Sequence, residues 1–235
     1  SRIADTRNRA EQYPAKGVED SLRYQLMRAR TQLMFEETPG IAAKRFRSML
    51  DGNPKLDAAR YGLALAQIKA GRPEEARKDL NDLLAKSPDE LIYNLAMIDL
   101  DENANRLGEA LQRIERMRNL YPDSYPLEQA RIDLMLKQNQ TKEAETALDQ
   151  LLKQRGNDPD VWYQVAEVRG LTRNIIGLHQ ARAEFFALVG DYDQALEQLD
   201  LAKRRASSNF PLASRIDARQ QELMEEKRAL DKMMR

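Results

Sequence analysis

The amino-acid sequence predicts an all-α fold in which pairs of antiparallel helices repeat along the chain. The first observation is a set of small residues at a constant spacing: Ala42, Ala76, Ala110 and Ala144. The second is a proline that follows each of the first three at a constant distance: Pro54, Pro88 and Pro122. The third is a composition of 42% apolar and 32% charged residues. This composition suits thin two-layer packing, because every helix keeps a solvated face, and a fixed period of about 34 residues indicates a helical repeat protein.

The residues around each repeated alanine explain why helices should pair there. Apolar residues stand four and seven positions after each alanine, on the same helical face. They are Phe46, Leu80, Ile114 and Leu148 at the fourth position, and Met49, Leu83, Met117 and Leu151 at the seventh. The small residue lets the partner helix approach closely, and the proline ends the helix because it lacks an N–H donor.

The first helix of each predicted pair carries an alanine of its own. These residues are Ala29, Ala64, Ala96, Ala130 and Ala166. Their spacing is uneven, which we interpret as unequal loop lengths, with DENANR (residues 101–106) as a lengthened turn. The helix expected near residues 174–189 closes one repeat and opens the next.

The predicted organisation is a single domain of about thirteen helices. Residues 1–16 are a lead helix (2–12) and linker from an absent upstream domain, residues 17–209 hold the repeats, and residues 210–235 form a capping helix. Pro211 suits the start of that last helix, and an apolar stripe follows it: Leu212, Ile216, Leu223 and Leu230. A terminal repeat needs such a polar outer face to stay soluble. Because the sequence opens at Ser1 and not at methionine, we expect a piece of a longer protein.

Residues 181–202, ARAEFFALVGDYDQALEQLDLA, resemble the tetratricopeptide repeat family. The matching positions are Ala183, Phe186, Gly190, Tyr192, Ala195, Leu199 and Ala202. A second match is LALAQIKAGRPEEA (residues 63–76), with Gly71 and Ala76. The resemblance implies a tetratricopeptide-repeat superhelix, which is an α-solenoid, and a function in binding other proteins.

A narrower resemblance covers almost the whole chain. SRIADTRNRAEQYP (residues 1–14) and the segment from Trp162 to Leu199 are similar to periplasmic β-barrel assembly-enhancing proteases of Gram-negative bacteria. The resemblance implies a periplasmic location and a preceding zinc metallopeptidase domain with an HExxH motif. It also implies three protein partners: the outer-membrane barrel-assembly complex, misassembled outer-membrane proteins and the chain's own peptidase domain. The alternative is a free-standing tetratricopeptide scaffold or assembly subunit with no linked peptidase.

The chemistry of an enzyme is not expected in this chain itself. It has no cysteine and one histidine, His179, so it cannot supply the two histidines of an HExxH zinc site. We expect His179 to pack structurally, and no cofactor or metal is predicted here; zinc would belong to the absent peptidase domain. Lys plus Arg (38) equals Asp plus Glu (38), which argues against nucleic acid as a partner. No apolar run approaches the roughly 18 to 20 residues of a membrane span.

Candidate protein-binding residues follow from the first helices, whose side chains line the concave face of such stacks. Counting three back and one forward from each first-helix alanine gives two columns of candidates. The seven residues chosen are Tyr61, Tyr93, Tyr163, Arg30, Arg131, Met97 and Leu65. Tyrosine, arginine and methionine are the residue types that favour protein contacts. Two alternatives stay open: the tyrosines could pack between helices, and the arginines could be solvated. The columns lack the lysine- and asparagine-rich clamp of chaperone-tail binders, so an extended or unfolded segment is the expected ligand.

Overall fold

The computed structural model describes residues 20–233, and twelve α-helices follow one another in this part of the chain. They are α1 (Leu22–Phe35), α2 (Pro39–Gly52), α3 (Asp57–Lys69), α4 (Pro73–Lys86), α5 (Leu91–Asn103), α6 (Leu107–Leu120), α7 (Tyr125–Lys137), α8 (Thr141–Arg155), α9 (Pro159–Leu171), α10 (Ile175–Leu188), α11 (Tyr192–Arg205) and α12 (Phe210–Met233). The predicted all-α repeat fold is confirmed. The lead helix predicted for residues 2–12 lies outside the described residues.

The turns between paired helices share one length and one hydrogen-bond pattern. Three residues connect α3 to α4, α5 to α6, α7 to α8, α9 to α10, and α10 to α11. One residue in each turn has a positive φ: Gly71, Asn105, Asn139, Arg173 and Gly190. The N–H that follows it returns to a carbonyl in the last turn of the helix, as from Arg72 to Gln67 (2.9 Å) and from Arg106 to Asp101 (2.7 Å). This Schellman-type closure satisfies carbonyls that the helix end would leave unpaired.

The prediction of a lengthened turn at residues 101–106 is wrong. Helix α5 continues to Asn103, so only three residues separate it from α6, as in the other pairs. Asn105 adopts the left-handed conformation (φ 56°), which asparagine tolerates better than most residues. The uneven spacing of the first-helix alanines therefore does not come from turn length.

The chain divides into two compact units, one that ends at Ser124 and one that begins at Tyr125. In the N-terminal unit, the repeated Ala42, Ala76 and Ala110 have no exposed surface and lie where second helices meet first helices. Their predicted packing role is confirmed. The apolar core runs from Leu26 to Leu100, and α1 packs on α3 as well as on α2.

Helix α10 has a double role in the C-terminal unit. It packs against both α9 and α11. Ala181 belongs to the core that includes residues of α8 and α9, whereas Ala183, in the same turn of the helix, belongs to the core shared with α11 and α12. The helix expected to close one repeat and open the next is therefore confirmed.

Helix α12 covers the end of the C-terminal unit. Ile216 and Leu223 are buried, as the predicted stripe requires, but Leu230 is 38% exposed. At about 1.5 Å per residue, the 24 residues of α12 extend about 36 Å, whereas the 14 residues of α11 extend about 21 Å. The last turns of α12 therefore pass beyond its neighbour. Arg219 ties α12 to α10 through two bonds of 2.9 Å to the carboxylate of Glu184.

Candidate functional site

Positions in the first helices can be compared by counting from the first residue of each helix. Counted in this way, the residues of one predicted column do not occupy equivalent positions. Ala64 and Ala166 are the eighth residues of α3 and α9, whereas Ala96 and Ala130 are only the sixth residues of α5 and α7. The eighth position is taken by Ile98 in α5 and by Ile132 in α7, and both are buried. Counting from the alanines therefore combined residues that lie on different faces of their helices.

Three of the seven predicted contact residues lie in the core of the N-terminal unit. Tyr61, Tyr93 and Met97 are 2%, 1% and 1% exposed. The two tyrosine rings pack against each other across α3 and α5, with centroids 5.9 Å apart. Their assignment to an open groove is corrected, because the neighbouring first helix covers them. The alternative of packing between helices applies to both tyrosines.

The other four predicted residues lie at or near the surface. Arg30 is exposed and Leu65 is half-buried against the core. Arg131 is half-buried and pairs with Glu128, one helical turn earlier, through Nε and Nη2. Tyr163 of α9 is 52% exposed, so it is the one predicted tyrosine that a ligand could contact directly.

Tyr163 lines a cavity of about 400 Å³ in the C-terminal unit. The lining residues come from α9, α10 and α11: Tyr163, Ala166, Glu167, Arg182, Phe185, Phe186, Gln194 and Gln198. The volume falls within the usual range of ligand pockets. This cavity is the candidate binding site of the unit.

An aromatic cluster forms one wall of this cavity. The ring of Tyr163 meets that of Phe185 edge to face, with centroids 5.7 Å apart and planes at 62°. Phe185 meets Phe186 in the same way at 5.3 Å and 67°. Edge-to-face contacts stabilise aromatic pairs beyond their apolar burial, by about 0.5–1.5 kcal/mol each. The wall therefore offers a rigid apolar surface to a ligand.

Polar groups of both signs border the aromatic wall. Glu167 on α9 and Arg182 on α10 are exposed, and each lacks a hydrogen bond or ion pair within the described residues. Behind them, Nδ1 of His179 lies 2.9 Å from the amide oxygen of Gln198. The lone histidine thus joins α10 to α11, in line with its expected packing role. The cavity combines apolar contact with one cation, one anion and amide groups.

Among the residues that line the cavity, the sequence predicted Tyr163 as a contact residue, but not Phe185 or Arg182. These lie on α10, whose double role places its residues beside α9 and α11 together. Phe186 occupies a position of the family pattern, so the second aromatic residue beside it, Phe185, was the available signal.

Metal-ligating side chains do not cluster in the part of the chain that the structure describes. Residues 20–233 contain no group of three or more His, Asp or Glu side chains placed to hold a metal ion. Within the same range, none of the helices is long and apolar enough to cross a membrane.

Comparisons with known proteins agree with this architecture. A family model described as tetratricopeptide repeat matches residues 36–97 and 103–168, more than half of the chain. The chain is 32% identical over 222 residues to the Beta-barrel assembly-enhancing protease of Escherichia coli (strain K12), covering 93% of this chain and 45% of that protein. The protein of the same name from Yersinia pestis is 27% identical over 224 residues, covering 93% and 46%. The chain thus spans slightly less than half the length of these relatives.

Solved structures show the same fold. PilW, described as a widely conserved type IV pilus biogenesis factor, superposes with a TM-score of 0.58 at 18% identity, over 90% of this chain and 97% of that chain. A tetratricopeptide repeat protein from Parabacteroides merdae gives a TM-score of 0.54 at 14% identity, over 94% and 90%. At these identities the likeness concerns architecture alone.

Proposed function

Because the chain belongs to the tetratricopeptide repeat family, we propose that it is the polypeptide-binding repeat domain of a periplasmic metalloprotease. The protease would act in the assembly and quality control of outer-membrane β-barrel proteins. The observation that carries this proposal is the similarity to Beta-barrel assembly-enhancing proteases, which extends over 93% of the chain.

The proposal divides two tasks between two parts of a longer protein. Peptide hydrolysis and the zinc ion belong to a domain outside this chain, because one histidine and no cysteine cannot form an HExxH site. The repeats dock on the barrel-assembly complex, present misassembled outer-membrane proteins, or do both. Partners, location and activity of the whole protein are part of the proposal.

The cavity beside Tyr163 suits an extended polypeptide as ligand. A strand of an unassembled β-barrel alternates apolar and polar side chains. Its apolar residues would rest on the rings of Tyr163 and Phe185, while Glu167 and Arg182 would pair with its polar side chains. Tyrosine and arginine are the residue types most enriched among interface hot spots.

Site-specific photocrosslinking in cells tests the proposal. The full-length parent gene is expressed with benzoylphenylalanine at position 163, and with the same group at position 210 as a matched control. Phe210 is an aromatic residue of the same unit that is 80% exposed and lies outside the cavity. We expect position 163 alone to trap subunits of the barrel-assembly complex or unassembled β-barrel proteins. Equal products at both positions, or no envelope protein at position 163, would contradict the proposal.

The free-standing scaffold is distinguished by the gene. DNA upstream of the codon for Ser1 should encode a signal peptide and an HExxH motif if the proposal holds. A start codon directly before Ser1 would instead favour a scaffold with no linked peptidase.

A further inference from the structure

Helix α1 of the N-terminal unit carries apolar residues on two opposite sides. The side that faces the core holds three buried residues: Leu26, Ala29 and Leu33. The opposite side holds four exposed apolar residues: Tyr24, Met27, Met34 and Phe35. Together with Thr31 they recur every three or four residues, the spacing that places side chains on one helical face. We call these five residues the outer face of α1, and the proposed function uses none of them.

The outer face is open to solvent and mostly apolar. Within residues 20–233, more large apolar residues are exposed on α1 than on any other helix, and Phe35 reaches 84%. The contacts of α1 with α2 and α3 use its buried side. Thr31 adds little polarity, because its hydroxyl donates to the carbonyl of Met27 in the same helix (3.0 Å). A contiguous apolar surface of this kind marks a site of interaction, unlike single exposed apolar residues.

Arginines border the outer face along both of its long edges. At 3.6 residues per turn, Arg23 and Arg30 lie beside one edge and Arg28 beside the other. Arg28 pairs with Asp20 (3.2 Å), whereas Arg23 and Arg30 are exposed and make no hydrogen bond or ion pair with the described residues. No acidic residue occurs between Leu22 and Phe35. The apolar surface therefore has a positively charged border.

The turn after α1 changes this charge balance only slightly. Glu36 is paired with Arg45 of α2 (2.5 Å). Glu37 is exposed and without a partner among the described residues, so it opposes one of the two free arginines from beyond the end of the helix. A positive charge remains beside the apolar residues.

This charge pattern discriminates between the possible occupants of the outer face. A second copy of the chain would bring arginines against arginines, because neither helix supplies a carboxylate. Residues 1–19 carry no net negative charge either. Their charged residues are Arg2, Arg7, Arg9 and Lys16 against Asp5, Glu11 and Glu19. The complementary occupant is apolar in its interior and anionic at its surface.

We propose that the outer face of α1 binds the surface of an anionic phospholipid bilayer. The helix lies parallel to the bilayer, with Met27, Met34 and Phe35 among the first acyl carbons. Tyr24 suits the headgroup level, where amphipathic rings are enriched, and Arg23 and Arg30 reach the lipid phosphates. The 14 residues of α1 extend about 21 Å. The helix therefore lies on the bilayer and does not span it, in keeping with the absence of a membrane-crossing helix among the described residues.

Vesicle flotation of the purified chain in low salt tests this assignment. One set of vesicles contains phosphatidylethanolamine and phosphatidylglycerol at about three to one, and the other contains phosphatidylcholine in place of phosphatidylglycerol. We expect the partition coefficient to be at least about tenfold higher for the anionic vesicles, since each arginine near such a surface contributes a factor of about five.

Two pairs of variants assign the binding to the outer face. Phe35→Ser should weaken binding to anionic vesicles about tenfold, whereas Phe210→Ser, at another exposed phenylalanine, should leave it unchanged. Replacing Arg23 and Arg30 together with glutamine should weaken it about 25-fold, a factor of about five for each residue. The charge-matched control replaces Arg205 and Arg228, which are exposed and unpaired within residues 20–233 of the C-terminal unit. All of these side chains are exposed, so circular dichroism should show natural helix content in every variant.

A fluorescent label measures whether the outer face enters the bilayer. The chain has no cysteine, so Thr31→Cys gives one site for an environment-sensitive dye, and Lys78→Cys on the exposed surface of α4 gives the control. Lipids that carry a nitroxide quencher should quench the dye at position 31 and not at position 78.

Four outcomes would overturn the proposal. They are equal binding to the two kinds of vesicle, equal effects of Phe35→Ser and Phe210→Ser, no quenching at position 31, and a dimer of the natural chain that Phe35→Ser abolishes. The last outcome would assign the outer face to a second copy. Crosslinking from position 163 is independent of all four, so this site and the proposed function can fail separately.

Discussion

Replacing Asp101 with alanine would remove a buried carboxylate that connects three helices of the N-terminal unit. The Asp101 side chain on α5 is 1% exposed, and its Oδ1 lies 2.6 Å from Nη2 of Arg77 on α4. Its Oδ2 lies 3.9 Å from Nε of Arg113 on α6. Burial lowers the pKa of Arg113, and Asp101 is the strongest charge that opposes this shift. Without Asp101, two partly buried guanidinium groups face each other with no carboxylate between them.

The expected loss follows from the exposure of the partners and the position of the residue. Removing one partner of a buried ion pair costs about 3–5 kcal/mol, and the lower end applies because Arg77 and Arg113 keep 18% and 26% of their side-chain surface exposed. Asp101 stands near the C-terminal end of α5, where a negative charge is unfavourable by about 0.3–1 kcal/mol. Alanine is also the better helix former by about 0.5 kcal/mol. We therefore expect a net loss of about 2 kcal/mol.

Urea unfolding followed by circular dichroism measures this loss, and amide hydrogen exchange locates it. The control is Asp200→Ala on α11, whose partner Arg204 lies one turn away in an exposed pair. Such pairs contribute about 0.3–0.5 kcal/mol. Protection should fall in α4, α5 and α6 of the Asp101→Ala variant only. Equal shifts in the two variants would refute the reasoning from burial.

Three further changes test other features. Tyr93→Phe should raise stability by about 1 kcal/mol in urea unfolding, because the buried hydroxyl of Tyr93 has no partner among the described residues; a loss would mean that a partner exists. Arg173→Gly should stabilise the chain by about 1 kcal/mol and Gly71→Ala should destabilise it similarly, since both positions have a positive φ of 60° and 69°; equal signs in thermal melts would contradict this. Burial raises the pKa of Tyr61 to about 12, so its neutral form is favoured by folding: the stability that Tyr61 contributes should be full below about pH 10 and fall by up to about 1.4 kcal/mol per unit towards pH 12. Burial raises the pKa of Tyr93 as well, so the loss for the whole chain should be steeper. The difference in absorbance at 295 nm between the natural chain and Tyr61→Phe isolates this phenol from the exposed tyrosines. It should rise with the unfolding transition, and a rise near pH 10 in the folded chain would disprove the prediction.

The second helices could be predicted from the sequence because packing fixes several of their positions at once. Each second helix needs a small residue where its partner approaches, as at Ala76, and a buried apolar residue one turn later, as at Leu80. It also needs a residue that ends it, as the proline at 88 does. Residues of the same types stand at the matching positions of the neighbouring repeats. The equivalent positions of the first helices could not be predicted in this way. Their eighth position accepts alanine in α3 but isoleucine in α5 and α7, so the identity of a small residue did not mark it. Each turn between paired helices from α3 onwards does have one residue with a positive φ, and this residue is usually glycine or asparagine. Arginine occupies the position at 173, so residue type alone did not identify it there.

The cavity beside Tyr163 could be predicted only in part from the sequence. Tyr163 was found because an aromatic residue at helical spacing from a buried alanine is a recognisable pattern. Its partner Phe185 belongs to a helix that departs from the repeat, and only the packing of α10 on both neighbours brings the two rings together.

The shared helix α10 restricts how this chain could gain or lose length during evolution. Between α3 and α6, deletion or duplication of one whole helix pair would keep first and second helices in alternation. An unequal crossover in the gene could therefore still encode a chain that folds. Helix α10 instead serves the pair before it and the pair after it, through Ala181 on one side and Ala183 on the other. A crossover that removed or doubled α10 would separate one of these alanines from the surface that it contacts. Natural length variants, and chimaeras made by exchanging repeats, should therefore have their junctions before α9 and not within this segment.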